Sequence, residues 1–99
     1  MGLSLGMLEV RGMGTTFVCI DKMVKSAFVE VTRVEQIGSG VITIFIQGEL
    51  ASVQYAIAVG EEVVQSYGQF IASRVIARPY NGLEKLTAQE EKVVKHGEN

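Results

Sequence analysis

Apolar and polar residues alternate, then recur at helical spacing, then alternate again along this chain. Leu5 to Arg11, LGMLEVR, predicts a short strand, and Gly12-Met13-Gly14 breaks it. Phe17, Ile20, Val24 and Ala27 then share one helical face, with Cys19 and Met23 beside them, while Asp21, Lys22 and Lys25 lie mostly on other sides. Thr15 or Thr16 offers a hydroxyl to cap that helix. Phe28 to Ile37, FVEVTRVEQI, predicts a second strand whose alternation is imperfect and whose Arg33 and Glu35 mark a wet face. Val41 to Gln47 is almost continuously apolar, which implies burial on both faces in the middle of a sheet.

Gln47-Gly48-Glu49 stops that strand and opens a second helix, Glu49 to Tyr67. Leu50, Val53, Ile57 and Val64 recur there at helical spacing, and Ala51, Ala56, Ala58 and Gly60 permit close packing. A glycine inside a helix costs about 1 kcal/mol relative to alanine, so Gly60 implies a packing reason. Gly68 suits the stop. Gln69 to Arg78 predicts the last strand, ended by Pro79, the only proline. Tyr80 to Asn99 turns polar. Leu83, Leu86, Val93 and Val94 allow a short docked helix, and the charged end HGEN is expected to fray.

The resulting order is β-α-β-β-α-β plus a tail. It predicts an α+β, ferredoxin-like fold with an antiparallel sheet, helices on one face and a short C-terminal helix or tail. Ninety-nine residues make a single domain, 1–99, with a core over about 5–86 and a polar tail over 87–99. A chain this short buries only about 60–70% of its extended surface on folding. Its hydrophobic content is nevertheless 47%, which leaves apolar surface for contacts between subunits.

Nine Lys and Arg against eleven Asp and Glu give a formal charge of -2, without the basic excess that nucleic-acid binding requires. No apolar run approaches the ~18–20 residues that span a bilayer, and Met1 to Val10 lacks the features of a signal peptide. Met1-Gly2 opens a myristoylation pattern, but Gly6 stands where that pattern needs Ser or Thr. Together these features imply a cytosolic protein. The single cysteine, Cys19, forms no internal disulfide and reads as a small buried apolar residue in a reducing compartment.

Catalytic chemistry finds no constellation. His96 is the only histidine and sits in the tail, and no Cys/His cluster could hold zinc. Glu61 and Glu62 point about 100° apart on a helix, so they read as a solvated face. Gly12-Met13-Gly14-Thr15-Thr16-Phe17 half-matches a dinucleotide fingerprint, with Phe17 in place of its third glycine. No cofactor and no metal are implied. The most distinctive stretch is Ile37-Gly38-Ser39-Gly40, where a serine stands between two residues without a Cβ. By spacing it is a hairpin turn between two strands.

Several segments together resemble the single-domain shell proteins of bacterial microcompartments, especially the major hexamer-forming ones such as those for propanediol use. The segments are Gly6-Met7-Leu8-Glu9, Asp21-Lys22-Met23-Val24-Lys25-Ser26-Ala27, Glu35-Gln36-Ile37-Gly38-Ser39-Gly40, Gln47-Gly48-Glu49 and Val75-Ile76-Ala77-Arg78-Pro79, in family order across roughly residues 5–86. The resemblance implies a non-enzymatic structural protein in a compartment shell of the bacterial cytoplasm. It implies a homo-hexamer that tiles with other shell proteins, encloses enzymes and passes small polar metabolites through a central pore. Gly38, Ser39 and Gly40, with Ile37 and Gln36 beside them, would line that pore as a polar ring without fixed charge. Lys25, Arg78 and Pro79 would meet a neighbouring hexamer at the edge.

Departures fall on the pore and the packing. Gln36 stands where many relatives carry Lys, Arg33 where Gly is common, and Tyr80 where His follows the Arg-Pro pair. Phe17 and Cys19 are bulkier than the usual alanines. The competing expectation is a small ferredoxin-like ligand-binding or regulatory domain, motivated by Gly12-Met13-Gly14 and an uncovered sheet face. Stabilisation by nucleotides would distinguish it from a ring that gains nothing from them.

Overall fold

The computed structural model describes residues 3–77 together with the backbone of Val93–His96. Alternation along the first strand, β1 (Ser4–Arg11), decides the layering. Ser4, Gly6, Leu8 and Val10 are buried, whereas Leu5, Met7 and Glu9 are half-buried. The first set faces two helices, α1 (Met13–Ser26) and α2 (Leu50–Ser66). The second set faces away from them, as the two-residue period of a strand requires.

The remaining strands are β2 (Val29–Gly38), β3 (Val41–Gly48), β4 (Phe70–Ile76) and β5 (Val93–His96), and every pairing is antiparallel. The sheet order is β2-β3-β1-β4-β5. The α+β class and the β-α-β-β-α-β order are therefore as the sequence predicts. The chain end is not. Val93 and Val94, expected in a short docked helix, lie in β5, which pairs with β4. Adjacent β-branched residues suit a pleated ladder, and β4 offers an open edge. Leu83 and Leu86, the other residues of that expected helix, lie outside the described residues.

Strand β3 is covered on both faces, with Ile42, Ile44 and Ile46 buried toward the helices and, away from them, Thr43 buried and Val41 and Phe45 half-buried. Strand β2 alternates imperfectly because its register with β3 shifts between Val31 and Arg33 and again between Gln36 and Gly38. Each shift places an extra residue in β2, so the side-chain period flips at a bulge. Arg33 and Glu35 consequently share the face opposite the helices, where they form a 2.9 Å ion pair.

The core forms where both helices meet β1. A Cβ on Gly60 would stand 2.8 Å from Leu8 Cδ2, 2.8 Å from Met23 Sδ and 3.1 Å from Cys19 Sγ. One on Gly6 would stand 2.8 Å from Val53, 2.9 Å from Ile46 and 3.1 Å from Ile57. The packing reason implied for Gly60 is thus present, and Gly6 shares it.

Helix α1 keeps part of the expected stripe, with Ile20 and Ala27 packed against the core, but its fully buried line is shifted. Thr16, Cys19 and Met23 are buried, whereas Phe17 is 64% exposed and Val24 is 42% exposed. Both stripes have helical spacing, and contact of Cys19 and Met23 with Gly60 selects the narrower one. Neither Thr15 nor Thr16 caps α1. The N-cap is Gly12, and the Thr16 hydroxyl donates back to its carbonyl at 2.8 Å. Helix α2 ends as expected at Gly68. The Gly68 N–H donates to Gln65 O and the Gln69 N–H to Val64 O, both at 2.9 Å, which closes the last turn.

Gly6→Ala tests this close approach. The added methyl meets three β-branched side chains that have little rotamer freedom. The expected loss is about 1–3 kcal/mol in urea denaturation. An unchanged midpoint would show that α2 can move away from β1 at little cost.

Candidate functional site

Strands β2 and β3 meet in a two-residue turn at Ser39-Gly40, and the backbone there is unusual over three consecutive residues. Gly38, Ser39 and Gly40 have φ of 123, 56 and 78. The left-handed region costs an L-residue other than glycine about 1–2 kcal/mol, so Ser39 needs support from outside the turn. Strand β1 supplies it. Arg11 Nη1 donates to Ser39 O at 3.0 Å, and the Gly12 N–H donates to Gly40 O at 3.0 Å. Arg11 lies opposite Val41 in the β1–β3 ladder, which places its side chain beside the turn. Sequence reasoning missed Arg11, because only the pairing of β1 with β3 brings it there. Its place at the strand end before Gly12 gave no signal by itself.

The tip is open. Gln36, Ile37, Gly38, Ser39 and Gly40 are all exposed, and Ile37 occupies the second bulge of β2. The Ser39 hydroxyl has no partner among the described residues. The turn therefore presents a hydroxyl, an amide side chain and backbone groups at one end of the sheet. The five residues expected to act together, Gln36 to Gly40, do lie together.

Arg33, the basic departure in β2, is committed elsewhere. Its guanidinium binds Glu35 and lies 4.5 Å from the centre of the Phe45 ring. Lys25 sits in the last turn of α1, exposed, with its amino group 3.2 Å from Asp21 one turn earlier. Such a surface pair contributes about 0.3–0.5 kcal/mol and leaves Lys25 free to exchange partners. Arg78, Pro79 and Tyr80 lie outside the described residues.

The other candidates behave as structural groups. Gly12 caps α1, and its N–H is bound to Gly40 O, which takes one of the donors that an anion at this turn would use. Beneath Arg33 lies a recess of about 250 Å³, lined by Leu5, Gly6, Thr32, Arg33, Phe45 and Ile46 and smaller than usual ligand sites. Cys19 is fully buried, and burial pushes its thiol up to about 12, so it stays protonated at neutral pH. Its thiol donates to the Gly60 carbonyl at 3.7 Å. Glu61, expected on a solvated face, is half-buried and accepts a hydrogen bond from the Ser73 hydroxyl, whereas Glu62 is exposed. The turn of the helix separates them, and only Glu61 faces β4. No group of three or more His, Cys, Asp or Glu among the described residues could hold a metal ion. No helix among the described residues is long and apolar enough to cross a membrane.

Comparison with known proteins gives one consistent family. Residues 4–79 match the family described as the BMC domain. The chain is 37% identical over 86 residues to the carboxysome shell protein CcmK1 of Thermosynechococcus vestitus, covering 85% of this chain and 76% of that one. It is 36% identical over 83 residues to the bacterial microcompartment shell protein PduA of Salmonella typhimurium, covering 84% and 88%. A crystal structure of a microcompartment protein from Desulfitobacterium hafniense DCB superposes with a TM-score of 0.69 at 25% identity. That match covers 83% of this chain and 47% of the other, so this chain spans about half of that protein.

The backbone of the turn is open to a direct test. Gly38→Ala and Gly40→Ala add a methyl that meets nothing closer than the Arg11 side chain at 4.0 Å, so each reports conformation alone. Gly38→Ala is expected to cost about 1–3 kcal/mol and to exceed Gly40→Ala, because a φ of 123 lies further from the left-handed well. Equal urea midpoints for both variants and the parent would show that the turn relaxes to another geometry.

Proposed function

The chain belongs to the BMC-domain family of bacterial microcompartment shell proteins, and on that premise we propose that six copies close around an axis lined by the Gly38-Ser39-Gly40 turn. Its role is structural and not enzymatic. The observation that carries the ring reading is the turn itself: exposed, polar at its tip and fastened to β1 by two hydrogen bonds. A wall that must hold its shape while solutes pass needs such fastening, because a loose tip would close the opening or widen it. Ser39, Gln36 and the backbone groups would exchange hydrogen bonds with small polar solutes as water does.

Exposed apolar side chains support association. Phe28 is 94% exposed, and Phe17, Ile37 and Tyr55 are each more than half exposed. In a chain of this size that surface is better covered by neighbouring subunits than by water. Lys25 serves the contact between rings, Arg78 and Pro79 are assigned to the same contact, and other shell proteins and enclosed enzymes complete the compartment of a bacterial cytoplasm.

The ring and the sheet are separable in one experiment. Native mass spectrometry is expected to give a hexamer for the parent and for Lys25→Ala, while electron micrographs show extended sheets for the parent and few for the variant. A monomer at high concentration would remove the ring reading. Equally extensive sheets from Lys25→Ala would remove Lys25 from the edge.

A further inference from the structure

We propose that Arg11 gives the opening its charge preference, so that small monovalent anions such as carboxylates cross more readily than neutral solutes of the same size. This rests on the ring reading above. Near the turn, Gln36 and Ser39 carry no charge, and Arg33 is neutralised by Glu35 at 2.9 Å while stacked on Phe45. Arg11 differs on each point. It is exposed, its Nη1 is fixed on Ser39 O at 3.0 Å, and it forms no ion pair among the described residues. Glu9, two residues back on the same face of β1, lies one step further from the tip and does not pair with it.

A guanidinium has five N–H donors and remains charged at any working pH, so binding one carbonyl leaves most of its donors and all of its charge available. The bond to Ser39 O holds that charge at the turn instead of letting a long side chain wander. Closing the ring would place a cation beside each copy of the turn. The polar ring expected from Gly38-Ser39-Gly40 alone thereby acquires a positive rim from a strand that the motif does not include. At roughly 10 Å in a water-filled opening at low salt, six unit charges favour a monoanion by about tenfold.

The test compares labelled acetate with labelled acetamide, which match in size and differ in charge, leaving closed shells whose hexamers are made only of this chain. For the parent, the acetate-to-acetamide rate ratio is expected to fall toward one as salt is raised, because screening weakens a charge effect and not a steric one. Arg11→Gln, which keeps an amide donor near the turn, is expected to lower the ratio about tenfold at low salt. Arg11→Lys retains the charge and is expected to keep most of it. Native mass spectrometry of each variant confirms that the hexamer persists. Intact hexamers with a salt-independent ratio, unchanged in Arg11→Gln, overturn the inference alone. A parent that forms no hexamer overturns the ring reading and this inference with it.

Discussion

Two absent side chains control how this fold is assembled. Gly6 on β1 and Gly60 on α2 let a helix and a strand approach so closely that a methyl at either position would overlap its neighbours. Leu8, Cys19 and Met23 crowd onto Gly60, while Val53, Ile46 and Ile57 crowd onto Gly6. The buried apolar core among the described residues includes all six of these neighbours, so the contact is its centre. Protein interiors pack to crystal-like density, and a gap or a clash at such a centre is felt by every element around it.

That contact also decides what the outside of the molecule looks like. Drawing Cys19 and Met23 onto Gly60 turns Phe17 and Val24 outward. The exposed apolar surface at Phe17 and Val24 is thus a consequence of how α1 seats. It is coupled to function, because a shell protein acts only through contact with its neighbours. The bulges of β2 work in the same direction. They flip the side-chain period so that Arg33 and Glu35 pair on the open face, and they turn Ile37 outward beside the turn.

At the turn, strain and support are matched locally. Ser39 occupies a backbone region that glycine would adopt more easily, and hydrogen bonds from Arg11 and Gly12 hold it there. The result is a hydroxyl at a tip held by two hydrogen bonds, with a cation beside it. The same Gly12 amide is already bound to Gly40 O, which leaves the β1–α1 junction one donor fewer for a ligand.

By itself the sequence determined the order of elements through β4, the covered, central place of Val41–Gln47, the stop at Gly68 and the grouping of Gln36 to Gly40. Each depends on period, β-branching or glycine at a turn, and these act over a few residues. Tertiary structure alone decided which line of α1 is fully buried, because several lines have helical spacing and the seat of Cys19 and Met23 against Gly60 lies in another helix. It decided that Val93–His96 joins the sheet, because a strand needs an edge to pair with. It decided too that Arg11 stands at the turn, because residues 28 apart meet only when β1 lies beside β3.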